Sequence, residues 1–259
     1  MTQPETLSVE LAASSCRVWR QGAGRRLGFL AGFGGLPRWM PVLDRLAAQR
    51  QLIVPSLPGF PGAEGFRSLD THLDWLLAVH DLLQQAGLDG ADLVASSVGA
   101  AFAAEMAALW PNSVRRLVLI APFGLFDEAE PPADPWAVRP ADQGALFCAD
   151  PARWGELKAL PEGANSIEWP IIQNRANEAA ARAFWPLGNT RLERRLGRIT
   201  APTLLLWGAE DRVMPRPYAQ RFAAALGGPS EIRIIEGAGH LAELDRPDAV
   251  AEAALAWTA

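Results

Sequence analysis

Three short β-prone runs open the chain: LSVEL at 7–11, CRVWR at 16–20 and RLGFLA at 26–31. QGAG between the second and third is a turn signal, so the pattern predicts antiparallel strands at the start. From residue 38 the pattern changes to strand and helix in alternation. Helical spacing covers 38–48, 70–87 and 98–110, and apolar runs fall between them at QLIVP (51–55), ADLVA (91–95) and RLVLIA (116–121). Continuous apolar runs in βα alternation demand a parallel sheet buried on both faces. The order resumes with PTLLLWG (202–208), a helix over 215–226, EIRIIEG (231–237) and a last helix over 247–257. Between these halves, 123–199 holds no convincing strand. It is rich in Trp, Ala and Arg and is broken by PPADP, ADP and LPEG. A structureless loop of that length is improbable in a compact domain, so the stretch predicts a mostly helical insertion over the sheet. The fold class expected is α/β: a mostly parallel central sheet with helices on both faces, a core of 1–122 and 200–259, and a helical insertion of 123–199.

Composition narrows what such a fold can serve. A chain of 259 residues that is 49% hydrophobic can bury a large core as one domain with an inserted part. The net charge is -5, Lys158 is the only lysine, and like charges form no run, so nothing supports a nucleic-acid partner or a polybasic membrane contact. The N-terminus MTQPETLSVE has no basic segment before an apolar one, and no apolar run approaches the roughly 18 residues of a membrane span. A cytoplasmic protein without a membrane partner is the expectation. Cys16 and Cys148 lack metal-ligand spacing and read as buried thiols.

In an open parallel sheet, ligands sit outside the carboxyl ends of the strands, so polar residues just after strands have the best claim to chemistry. Four segments qualify: AGFGG (31–35), ASSVG (95–99), GAEDRVMP (208–215) and GAGHLAELDRP (237–247). A strand followed by small-x-Ser-x-Gly and a helix, then an acid after a late strand and a histidine after the last, resembles the α/β-hydrolase superfamily. The resemblance covers the whole chain except the insertion, which looks like that family's cap. It implies a catalytic triad of Ser97, Asp211 and His240, oxyanion-hole donors at the backbone N–H groups of Phe33 and Val98, and no metal or organic cofactor. Where the family usually has glycine, histidine and aspartate, this chain has Ala95, Ala31 and, in the turn PSLPGF (55–60), Ser56.

The residues support the same assignment on chemical grounds. A serine hydroxyl must give its proton to a positioned base that a third group orients. Of the three histidines, His72 and His80 fall inside the predicted helix 70–87, and only His240 follows a strand. Close helix–strand packing needs small residues two before and two after the nucleophile. Ser97 has Ala95 and Gly99 there, whereas Ser96 has Val94 and Val98. Plainer readings compete: Ser97 in a polar turn, Asp211 as a helix N-cap with Glu210 as the acid, AGFGG as a glycine turn, and the insertion aromatics Trp136, Phe147, Trp154, Trp169, Phe184 and Trp185 as cap core.

The partner expected is a small-molecule substrate, with self-association into a homo-oligomer left open. A largely apolar ester is the first expectation, with a pocket lined by Trp136, Phe147, Arg175 and Trp185. Carbon–carbon bond hydrolysis of a diketo acid is the second, with Arg175 to receive the substrate carboxylate. A ligand-binding protein that has lost turnover is the third.

Overall fold

A computed structural model describes residues 3–12 and 14–259. Eight strands form one sheet in the order β1-β2-β4-β3-β5-β6-β7-β8. β1 (Glu5–Glu10), β2 (Ser15–Gln21) and β4 (Gln51–Pro55) pair antiparallel in turn. The remaining pairings, among β4, β3 (Arg26–Leu30), β5 (Ala91–Ser96), β6 (Val114–Ile120), β7 (Thr203–Gly208) and β8 (Ser230–Ile235), are parallel. Every residue of β5 and β7 is buried, as continuous apolar runs require when both faces are covered. Half-exposed β1 and β8 are the edges.

Helices α1 (Pro41–Ala47) and α10 (Pro247–Trp257) pack on each other, while α3 (Ser97–Leu109) packs on α2 (His72–Gln85), β5 and β6. Boundaries follow local chemistry. Thr71 and Asp74 form a reciprocal capping box that starts α2, and Gly87, at φ +78°, lies just beyond its end. Helix α1 starts at Pro41, three residues inside the expected start, because proline suits the first helical turn.

Between β6 and β7 lie α4 (Gln143–Phe147), α5 (Pro151–Lys158), α6 (Glu168–Phe184) and α7 (Glu193–Leu196), with no strand among the described residues. A last addition, α8 (Pro217–Ala225), connects β7 to β8, and α9 (Ala242–Asp245) precedes α10. Among the described residues no helix is long and apolar enough to cross a membrane.

The sheet topology fixes where a site can form. β3 lies between β4 and β5, with Leu30 opposite Ala95 in register. The chain leaves β3 toward one neighbour and returns to the other, which opens a crevice at their carboxyl ends. Residues 31–35 and Ser96–Ser97 emerge side by side at that point.

Candidate active site

The turn from β5 into α3 sets the position of Ser97. Its φ is +51°, a conformation that costs a residue with a Cβ and persists only where surroundings impose it. The constraint is packing: a Cβ on Gly99 would collide with the Ala31 carbonyl oxygen and come within 2.8 Å of that of Leu30. Only glycine lets α3 cross this close to the end of β3. The register that favoured Ser97 over Ser96 therefore has a steric basis, and Ala95 fits the other small position while wholly buried.

His240 and Asp211 complete a hydrogen-bonded chain. The His240 Nε2 is 2.8 Å from the Ser97 Oγ, and its Nδ1 is 3.0 Å from Asp211 Oδ2. A carboxylate only accepts, so Nδ1–H donates to Asp211 and the Nε2 lone pair faces the hydroxyl. Asp211 is itself held by the N–H groups of Val213 and Met214, which donate to Oδ1 at 2.8 and 2.9 Å. It does not cap a helix: α8 begins at Pro217, with Arg216 at its N-cap. The rival acid, Glu210, is half exposed and faces Arg212. The side chains of His240 and Asp211 have no solvent exposure, and Ser97 has none either.

The glycine loop after β3 lies directly against this chain. A Cβ on Gly32 would come within 3.2 Å of the Ser97 Cβ and 2.9 Å of the Ser96 Oγ. The loop closes with Gly35 N–H donating to the Gly32 carbonyl at 3.0 Å, and Gly34 and Gly35 have φ of +79° and +66°. Val98 is the second residue of α3, where the N–H has no partner within the helix. Both segments predicted to supply oxyanion donors, at Phe33 and Val98, thus border Ser97.

Two of the four predicted pocket side chains come to this place and two do not. Phe147 is fully buried, stacks on Phe33 with centroids 4.7 Å apart, and lies 5.9 Å from the His240 ring. Trp136 meets Phe33 edge-on at 5.5 Å and donates from Nε1 to the Asn177 carbonyl. Trp185 departs from the expectation. It is 57% exposed and its Nε1 reaches Asp134, because it follows the last turn of α6 as the chain leaves the helix. Arg175 departs too: it faces Glu64 at 3.9 Å and borders a surface groove with Ser15, Gly59 and Ile172 that includes neither Ser97 nor His240. Its place on α6 turns it toward the loop 59–64. Trp154, Trp169 and Phe184, between β6 and β7, are buried.

Several residues near the site carried no recognised sequence signal. Asp245, five after His240, accepts from the N–H groups of Gly239, Ala149 and Asp150 at 2.8, 2.8 and 3.2 Å. It ties the histidine loop to the chain between α4 and α5. Phe123 places its ring 5.4 Å from that of His240. Glu243 is buried, and burial pushes its carboxyl up to about 7 against smaller opposing pulls from the Ser96 hydroxyl, its own N–H and His240. Glu105, buried on α3, receives Arg195 at 2.6 Å and faces His72 Nε2 at 3.3 Å, which pins α7 and the start of α2 to the helix behind Ser97. His80 stacks on Trp110 at 4.1 Å, away from this chemistry, and Cys16 and Cys148 are buried free thiols.

Similarity to known proteins covers the same region. The profile of the Alpha/beta hydrolase family matches residues 29–253. The chain is 24% identical over 237 residues to a 2-hydroxy-6-oxo-2,4-heptadienoate hydrolase of Pseudomonas putida, covering 87% of this chain and 86% of that protein. It is 24% identical over 229 residues to a monoacylglycerol lipase of Xenopus laevis, covering 81% and 67%. Among solved structures, a 2-hydroxy-6-oxo-6-phenylhexa-2,4-dienoate hydrolase of a Rhodococcus species superposes with a TM-score of 0.76 at 19% identity, over 98% of both chains. A Bacillus subtilis carboxylesterase superposes with a TM-score of 0.71 at 19% identity, over 99% of this chain and 92% of the other.

Proposed function

Because the chain belongs to the alpha/beta hydrolase family, we propose that it is a serine hydrolase that cleaves a small to medium, largely apolar ester through an acyl-enzyme. The observation that carries this reading is the continuous Ser97–His240–Asp211 hydrogen-bonded chain, with Ser97 held at positive φ against a glycine loop.

In the proposed reaction the Ser97 Oγ adds to the ester carbonyl carbon while His240 Nε2 takes its proton. The imidazolium that forms is stabilised by Asp211, which also fixes the tautomer. Charge on the carbonyl oxygen meets the N–H groups of Phe33 and Val98. Collapse of the tetrahedral intermediate breaks the bond to the alcohol oxygen, which leaves with the proton from His240. Water, deprotonated by His240, then releases the acid and restores Ser97. The segment 123–199 acts as the cap that shapes the acyl site, with Phe147 and Trp136 as its apolar wall.

Carbon–carbon bond hydrolysis is the second reading, supported by similarity to the Pseudomonas putida enzyme. Its expected carboxylate partner, Arg175, instead faces Glu64. A binding-only role fits poorly with a fully hydrogen-bonded triad. Hydrolysis of a phenyl ester tests the main reading: Ser97→Ala is expected to lose on the order of 10⁴-fold in kcat/KM while Ser96→Ala keeps most of it. Retention of more than a tenth of the activity by Ser97→Ala would overturn it.

A further inference from the structure

The only lysine of the chain lies beside the glycine loop. Lys158, at the end of α5, directs Nζ to the Gly34 carbonyl at 3.4 Å and over the Trp154 ring at 4.6 Å. A Cβ on Gly34 would collide with that ammonium, so glycine is what allows the approach. The lysine backbone is anchored, because Trp169 Nε1 and Gln173 Nε2 both donate to its carbonyl, at 2.9 and 3.0 Å.

Its charge has no counterpart. Among the described residues no carboxylate makes an ion pair with Lys158: Asp150, the N-cap of α5, and Glu156 on the helix both face Arg153. From the other elements packed against it, Arg38 reaches the Ala159 carbonyl, Glu168 of α6 is exposed, and Arg175 faces Glu64. Loop residues 31–36 carry no ionisable side chain. Burial, with no offsetting charge, pushes the ammonium down to about 8. Lys158 is partly buried, and a cation desolvated even in part without an anion is unfavourable, with contact to an aromatic face offsetting only some of the cost. An anionic ligand would relieve it.

Lys158 is also well placed to meet such a ligand. Gly34 follows Phe33, and Trp154 stacks on Phe147 at 4.9 Å, which in turn lies 5.9 Å from His240. Two aromatic rings separate the lysine from the imidazole. We propose that Lys158 selects substrates that bear a carboxylate, receiving it beside Gly34 while the scissile carbonyl lies at Ser97. This rests on the reading of Ser97 as nucleophile, and it amends the ester proposed above by placing a carboxylate at the far end of its acyl chain, which gives half-esters of short dicarboxylic acids.

The test is a ratio: kcat/KM for para-nitrophenyl hydrogen glutarate divided by that for para-nitrophenyl pentanoate, measured on wild type, Lys158→Met and Lys158→Arg. A general effect on folding or on the triad acts on both esters and cancels. Loss of a charge-assisted contact is expected to lower the ratio by about 10 to 100-fold in Lys158→Met, with Lys158→Arg retaining most of it. In wild type the ratio is expected to fall as pH rises through about 8, since the cation is present below that value and lost above it. This arm needs no variant to fold. A ratio unchanged by Lys158→Met, or one in wild type that does not fall at any alkaline pH the fold withstands, would overturn the proposal. Failure of the serine reading looks different: Ser97→Ala would then still hydrolyse both esters.

Discussion

Glu243 makes stability depend on pH in a direction opposite to that of most acids. Its carboxyl is buried three residues beyond His240, near the Ser96 hydroxyl; neither its Oε2 nor the Ser96 Oγ has a hydrogen-bond partner. Burial raises it from the ordinary value of 4.5 to about 7. The folded protein therefore holds this proton more tightly than the unfolded chain, so the group costs nothing below about 4.5. The cost grows as pH rises toward 7 and is constant above. At about 1.4 kcal/mol per unit, the rise corresponds to a penalty on the order of 3 kcal/mol at alkaline pH. Glu243→Gln keeps the shape and removes the ionisation. Urea denaturation of wild type and variant across pH 4.5–8.5 isolates the contribution, because other titrating groups cancel in the difference. The variant is expected to gain on wild type by that amount as pH rises, with most of the gain complete near 7. A difference that stays flat with pH, or that favours wild type at high pH, would show that Glu243 does not carry this penalty.

Asp211→Asn is expected to lose roughly 10³ to 10⁴-fold in ester turnover by favouring the wrong tautomer of His240, with Glu210→Gln near wild type; steady-state kinetics on both variants decides which acid acts. Gly99→Ala forces a Cβ against the Ala31 and Leu30 carbonyls, so a loss of about 1–3 kcal/mol and a displaced Ser97 are expected, read by denaturation and by turnover. Glu105→Ala leaves Arg195 without its carboxylate. Since Arg195 is a quarter exposed, a loss of about 2–3 kcal/mol is expected in urea, below the range for a wholly buried pair. Although burial alone would raise Glu105, hydrogen bonds from Arg195 and His72 hold it below the ordinary carboxylate range. Its stabilising share is therefore present above 4.5 and is lost as pH falls further.

The fold was legible because periodicity survives tertiary context where strands are buried on both faces: β5 and β7 fall within a residue of their expected bounds. The turn from β5 into α3 was legible because its constraint is steric and local, written in Ala95, Ser97 and Gly99. Orientation within the insertion was not. Trp185 and Arg175 sit on or beside an amphipathic helix, and helical spacing says which residues share a face without saying which face meets the sheet. Lys158, Glu243 and Asp245 were illegible for another reason. Their significance lies in what surrounds them, a missing counter-charge, an unpaired oxygen and three backbone N–H groups, none of which composition or spacing records.

Covalent labelling bears on the nucleophile without depending on the choice of substrate. The protein is treated with a small fluorophosphonate, and the adduct is located by mass spectrometry of its peptides, in wild type, Ser96→Ala, Ser97→Ala and His240→Ala. A phosphonyl group on Ser97 in wild type and Ser96→Ala is predicted, with none in Ser97→Ala and labelling slowed at least about 100-fold in His240→Ala, where the proton acceptor is gone. An unlabelled wild type, or an adduct that persists in Ser97→Ala, would contradict the assignment of Ser97 and His240 as nucleophile and base.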